Sequence, residues 1–166
     1  MHELKALSTD AVPRALTKAE RYRLLNEPGE AQSICLDVLA ADPDNQEAVR
    51  TMILALTDQF VADPARAREA LATAEGLHDE YERSYYSGIV QERRAKAQLA
   101  HDTPHGGSRA YEWLCDAMRR FEQADAKRPP NNEDARLRWN ACARLIDSDT
   151  HIGPLVEEPH EPVLSE

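Results

Sequence analysis

The sequence is poor in aromatic residues, glycine and cysteine. Phenylalanine, tryptophan and tyrosine make up 5% of its 166 residues, and only 6 residues are glycine. This composition is poor material for a β-sandwich or barrel, because those folds are built from β-branched and aromatic strands. The 3 cysteines are widely spaced without a Cys-x-x-Cys motif, which gives no support to a disulfide framework or a zinc site. Each lies among alanines and leucines, so we expect Cys35, Cys115 and Cys142 to be small buried hydrophobic residues.

Long apolar runs and common catalytic motifs are also missing. No segment approaches the ~18–20 apolar residues that span a bilayer, and the first residues lack the apolar stretch of a signal peptide. We therefore expect no membrane association and a cytoplasmic location. The sequence has no Gly-x-Ser-x-Gly motif, phosphate-binding glycine loop or dinucleotide fingerprint. We expect a protein that is not an enzyme and uses no cofactor.

The formal net charge of −10 is unevenly distributed. Residues 1–82 carry 16 acidic and 8 basic side chains, residues 83–146 carry 8 and 12, and residues 147–166 carry 6 and none. An acidic chain is a poor nucleic-acid binder, so we expect no nucleic-acid partner. The basic block at 83–146 keeps open the alternative that this half binds a polyanion.

Proline, glycine, asparagine and aspartate divide the chain into seven segments of helical length. Apolar residues within them recur three and four positions apart, and no stretch alternates with period two. We predict an all-α domain over 13–147, after an N-terminal extension at 1–12 and before an acidic disordered tail at 148–166. Asp63 and Ser108 are predicted helix N-caps. The predicted helices cover 13–25, 30–41, 46–61, 65–75, 78–100, 108–127 and 133–146.

The even-numbered segments share an internal pattern. A small residue is followed four positions later by a larger apolar residue. Another small or apolar residue comes three positions after the larger one, and a breaker comes five positions after that. Small residues let two helices approach closely, and the larger one fills the gap between helix pairs. The three occurrences are Ala31, Cys35, Val38 and Pro43; Ala67, Leu71, Ala74 and Asp79; and Ala117, Phe121, Ala124 and Pro129.

This spacing resembles the second helix of a tetratricopeptide repeat (TPR), a 34-residue helix–turn–helix unit. Ala19 and Tyr22 match small and tyrosine positions of a first helix, and Gly88 matches the small position in the fifth segment. The intervals between units are irregular, and we interpret the longer one as extended helices. The resemblance covers about 12–146. It implies a right-handed α-α superhelix of about three TPR-like helix pairs plus a C-terminal capping helix, in which Arg138 is expected to face water.

Proteins of this family usually bind another protein, with the first helices lining a concave groove. The resemblance therefore implies a non-catalytic scaffold or adaptor of a bacterial type, monomeric or weakly dimeric, that binds a peptide or a partner helix. The pattern with which some relatives clamp a chaperone's terminal carboxylate is missing. The groove-facing candidates are Leu16, Glu20, Arg23, Arg50, Leu54, Thr57, Tyr85, Ile89 and Glu92.

Three other possibilities remain at this stage. The loop between His101 and His105 is the nearest feature to a metal-ligand cluster, which gives a metal-binding or enzymatic alternative. Clustered arginines such as Arg93, Arg94, Arg119 and Arg120 form either solvated helix faces or a polyanion-binding surface. The acidic tail can also compete in cis for the basic half, because tethering raises its effective concentration. The tail glutamates concerned are Glu157, Glu158, Glu161 and Glu166.

Overall fold

The computed structural model describes residues 2–101 and 103–155. Over these residues the chain forms one short 3-10 turn, Thr9–Ala11, and seven α-helices, with no strand. The prediction of an all-α fold is confirmed. The helices are α1 (Val12–Leu24), α2 (Pro28–Ala41), α3 (Gln46–Thr57), α4 (Arg66–Glu75), α5 (Glu80–Leu99), α6 (Gly106–Asp125) and α7 (Asp134–Ser148).

Local sequence explains most of the helix ends. The side chain of Asn45 accepts a hydrogen bond from the Ala48 N–H at 2.9 Å and begins α3, and Asp79 does the same for the Glu82 N–H at 2.9 Å at the start of α5. Such side chains satisfy backbone donors that have no partner within the helix. After α1, Asn26 adopts a positive φ of 59°, which asparagine tolerates better than most residues.

The predicted start of α6 at Ser108 is wrong. The helix begins at Gly106, and its N-cap is His105, which adopts a left-handed φ of 59°. Gly107 lies against the chain after α7, where an added Cβ would overlap the His151 carbonyl oxygen. The first turn of the helix therefore includes a glycine that permits close backbone packing, which a capping rule based on side chains does not consider.

Two smaller predictions also differ from the structure. The Oδ1 atom of Asp63 accepts a hydrogen bond from the Ala65 N–H at 3.2 Å, but the helix begins only at Arg66, so Asp63 stabilises the preceding turn. The predicted disordered tail begins at 148, yet Ile152 is buried in a cluster with α5, α6 and α7 residues. The apolar side chain of Ile152 holds the start of this segment against the domain. Residues 156–166 lie outside the described part of the chain.

Each helix packs against the next, from α1 through α7, and α1 with α3 and α3 with α5 also touch. Short connections turn the chain back between neighbours, so successive helices run antiparallel. The small and apolar residues of the internal pattern face the interior, with Ala31, Cys35, Ala117 and Phe121 fully buried and Leu71 half-buried. Among the described residues, no helix combines the length and apolar character that crossing a membrane requires.

Helices α5 and α6 pack closely against each other at Gly88. A Cβ added there would lie 2.6 Å from Cε1 of Phe121, so the phenyl ring occupies the space that any larger residue would need. The ring of Tyr85 packs on the same phenylalanine, with ring centroids 6.0 Å apart. This contact fixes the relative position of α5 and α6.

Candidate partner-binding cleft

The nine groove candidates fall into two groups by exposure. Leu16, Thr57, Ile89 and Glu92 are buried, with at most 4% of each residue exposed. These residues support the odd-numbered helices and present almost no surface to a partner. The other five candidates reach the surface to different degrees: Glu20 is exposed, whereas Arg23, Arg50, Leu54 and Tyr85 are partly buried.

A cleft of about 570 Å³ lies between α1, α3, α5 and α7. We call it the cation cleft, because its charged lining consists of Arg23, Arg93, Lys96 and Arg138 together with Asp58. Arg23 lies on α1, Arg93 and Lys96 on α5 and Arg138 on α7, and Asp58 lies in the turn after α3. Of the nine groove candidates, only Arg23 and Thr57 line it, and Glu92 lies directly behind two of its cations.

Asp58 joins two of these cations. Its Oδ2 accepts a hydrogen bond from Nε of Arg23 at 2.8 Å, and its Oδ1 accepts one from Nη1 of Arg93 at 3.2 Å. The Asp58 side chain is only 18% exposed. The carboxylate therefore connects α1 to α5 and orients both guanidinium groups, because charge-assisted hydrogen bonds are directional as well as strong.

Glu92 holds the other two cations. Its side chain is 1% exposed, and it accepts hydrogen bonds from Nζ of Lys96 and from Nη1 of Arg138, the latter at 3.2 Å. Burying an ionised carboxylate is costly unless it is paired and hydrogen-bonded. Two cations meet that requirement here. Burial is the largest single influence on the pKa of Arg138 and acts to lower it, but the charge of Glu92 and the interactions with Tyr85 together outweigh burial, and the pKa is raised.

Glu92 lies deeper than the cations around it. The side chains of Lys96, Arg93 and Arg138 are 47%, 35% and 31% exposed, compared with 1% for Glu92. Asp58 and Arg23 are about equally exposed, at 18% and 20%. Four cations share two carboxylates, so the group carries two excess positive charges at neutral pH. A ligand that approaches Glu92 meets its cations first. The arrangement can therefore bind an anionic group without losing its own ion pairs.

Three tyrosines of α5 pack together beside this region. The rings of Tyr81 and Tyr85 are stacked at 5.6 Å, and Tyr85 meets Tyr86 edge-on at 5.4 Å. The Tyr81 hydroxyl donates a hydrogen bond to Asn132 at 3.1 Å, and burial raises the pKa of Tyr81 to about 12. The tyrosines thus serve mainly as packing residues.

The residues that complete the cation cleft are not among the nine groove candidates. Asp58 and Arg138 were not selected, and Arg138 was expected to face water in a capping helix. That expectation is wrong, because Arg138 pairs with a carboxylate 46 residues earlier in the chain. The Glu92–Lys96 spacing of four residues was a detectable local signal, but a partner on α7 becomes apparent only after folding.

The predicted histidine loop does not assemble a metal site in the described part of the chain. No group of three histidine, cysteine, aspartate or glutamate residues is suitably placed there, and Asp102 lies outside that part. The His101 ring instead contacts the Val61 carbonyl oxygen at 2.9 Å. Burial raises the pKa of Cys35 to about 11 and that of Cys142 to about 12, which opposes formation of reactive thiolates.

The remaining basic clusters are paired along the outer faces of α6 and α7. Arg119 and Arg120 both contact Asp116, while Arg128 and Arg136 both contact Asp125. Arg94 covers the ring of Trp113, with its guanidinium carbon 4.0 Å from the ring centroid. These pairings are typical of solvated helix faces.

Comparison of the chain with family models, curated proteins and solved structures finds no match.

Proposed function

We propose that this chain is a non-catalytic protein–protein interaction module, a scaffold or adaptor that binds a peptide or partner helix across its odd-numbered helices. The observation that carries this proposal is the cation cleft, which gathers partly exposed side chains from α1, the turn after α3, α5 and α7. A surface built from four separate elements suits an elongated ligand.

The composition of the cleft supports a protein ligand. Arginine is enriched at protein interfaces, and the cleft combines three arginines with the apolar side chains of Leu24 and Val61. These two apolar residues are 88% and 54% exposed. A polar rim beside exposed apolar surface is a common arrangement at partner-binding sites.

The packing order supports the proposed repeat architecture. Each helix contacts the next, and α1 also contacts α3 and α3 contacts α5, as expected when helix pairs stack into a solenoid. We include in the proposal a right-handed superhelix of about three TPR-like helix pairs with α7 as the cap. In that arrangement the cation cleft lies on the concave side.

Site-specific photo-cross-linking tests this function. A photoreactive residue at Val61 samples the cation cleft, and one at Leu36 on α2 is a matched control because both residues are 54% exposed. We expect Val61 to form a discrete adduct with one protein in the native cells and Leu36 to form none. The adduct must form again with the purified partner. Equal cross-linking from both positions, or none from Val61, would contradict the proposal.

A further inference from the structure

We infer that the ligand of the cation cleft is an acidic peptide segment of a partner protein, one carboxylate of which is bound between Arg93 and Arg138. This inference rests on the proposed function and specifies its ligand. The starting point is the excess of cations over acids, because a cleft lined by one sign of charge concentrates ligands of the opposite sign. Its two acids cannot neutralise all four cations.

The hydrogen bonds inside the cleft leave donors for a ligand. A guanidinium group has five N–H donors. Within the described part of the chain, Arg93 and Arg138 each direct only Nη1 to a carboxylate. The buried carboxylates hold these side chains in place before a ligand arrives. Binding therefore needs little further side-chain ordering, which is one of the main costs of association.

The surroundings favour a peptide over a nucleic acid. Single-stranded nucleic acids bind largely by stacking bases on exposed aromatic rings. The nearby Trp113 ring is covered by Arg94, and Phe60, which lines the cleft, is 1% exposed. The exposed apolar residues are the aliphatic Leu24 and Val61, which suit an aliphatic side chain.

A pair of substitutions isolates the charge of the cleft. In Arg93→Gln/Arg138→Gln, Asp58 keeps its contact with Arg23, and Glu92 keeps its contact with Lys96. Neither acid is left without a cation, so we expect the fold to be preserved, and urea denaturation followed by circular dichroism checks this. The probe is a fluorescently labelled peptide of alternating glutamate and leucine, measured by anisotropy with the full chain. Its glutamine–leucine counterpart is the ligand control.

The matched protein control is Arg119→Gln/Arg136→Gln. It also removes two positive charges, but from outside the cleft. Asp116 and Asp125 keep their contacts with Arg120 and Arg128. We expect the cleft pair to weaken binding about tenfold or more, because two charge-assisted hydrogen bonds are lost. We expect the control pair to change affinity by less than about twofold at physiological salt, where charges farther apart than ~8 Å are screened.

Four results of the binding assay would overturn the inference. One is an equal loss of affinity in both pairs, which would indicate diffuse attraction to the arginine-rich half. Another is equal binding of the glutamine–leucine peptide. The third is tighter, cleft-dependent binding of a single-stranded oligonucleotide. The fourth is binding that appears only after the four tail glutamates are changed to glutamine, which would assign the cleft to the chain's own C-terminal segment. A Val61 adduct that survives in the cleft pair would retain the interaction module while rejecting an acidic ligand.

Discussion

The first helix pair, α1 and α2, and the third, α5 and α6, both pack closely through small residues. They differ in helix length and in the side chain that fills the space between the helices. Helices α1 and α2 have 13 and 14 residues and meet through Ala19, Ala31 and Cys35, whereas α5 and α6 have 20 residues each. The third pair meets through Gly88 and Phe121. Helix α5 is thus about two turns longer than α1.

That additional length is where the candidate site is formed. Glu92, Arg93 and Lys96 lie in the final turns of α5, beyond the Gly88 contact, and face Arg23 near the end of α1. The longer interval that makes the internal pattern irregular therefore provides two of the four cations of the cation cleft. Departure from a regular spacing here adds part of the candidate site while the close helix packing is retained.

The largest expected effect is the loss of Phe121. Phe121→Ala removes a fully buried ring beside Gly88 and should lower the free energy of unfolding by about 3–5 kcal/mol. Cys35→Ala is the counterpart at the corresponding pattern position of the first pair. It should lower the free energy of unfolding by about 1 kcal/mol, because the sulfur is the only heavy atom removed. Urea denaturation followed by circular dichroism measures both. Similar costs would show that the two pairs do not differ in filling.

A smaller effect is expected at the close approach itself. Gly88→Ala gains helix propensity but places Cβ 2.6 Å from the Phe121 ring, so we expect a net destabilisation of about 1–3 kcal/mol. In a Phe121→Leu background the same substitution should cost clearly less, because the smaller side chain vacates the space. A double-mutant cycle by urea denaturation measures this coupling. Gly88→Ala that stabilises the native protein would contradict the close packing.

Sequence periodicity and breaker residues predicted the fold more completely than the site. The α7 range of 133–146 differs from Asp134–Ser148 by one or two residues at either end, because its breakers act locally. Ile89 was assigned to a groove but is buried, and Arg138 was assigned to water but binds Glu92. Helical spacing identifies which residues share a face. Which face receives the next helix depends on crossing geometry, which no single segment encodes.

The smallest expected effect concerns the ion pair between Arg50 and Glu82, which links α3 to α5. Nη1 of Arg50 donates to Glu82 at 2.9 Å, and the two side chains are 31% and 26% exposed. Arg50→Gln should cost about 0–1 kcal/mol, as expected for a solvent-screened pair. Arg50→Glu should cost more, because it places two carboxylates together, so charge reversal at this position changes stability as well as any contact with a partner. Thermal denaturation at low and high salt separates the two contributions, since the difference between the variants should shrink as salt screens the repulsion. A difference that persists at high salt would indicate that Arg50 acts through packing of its aliphatic stem.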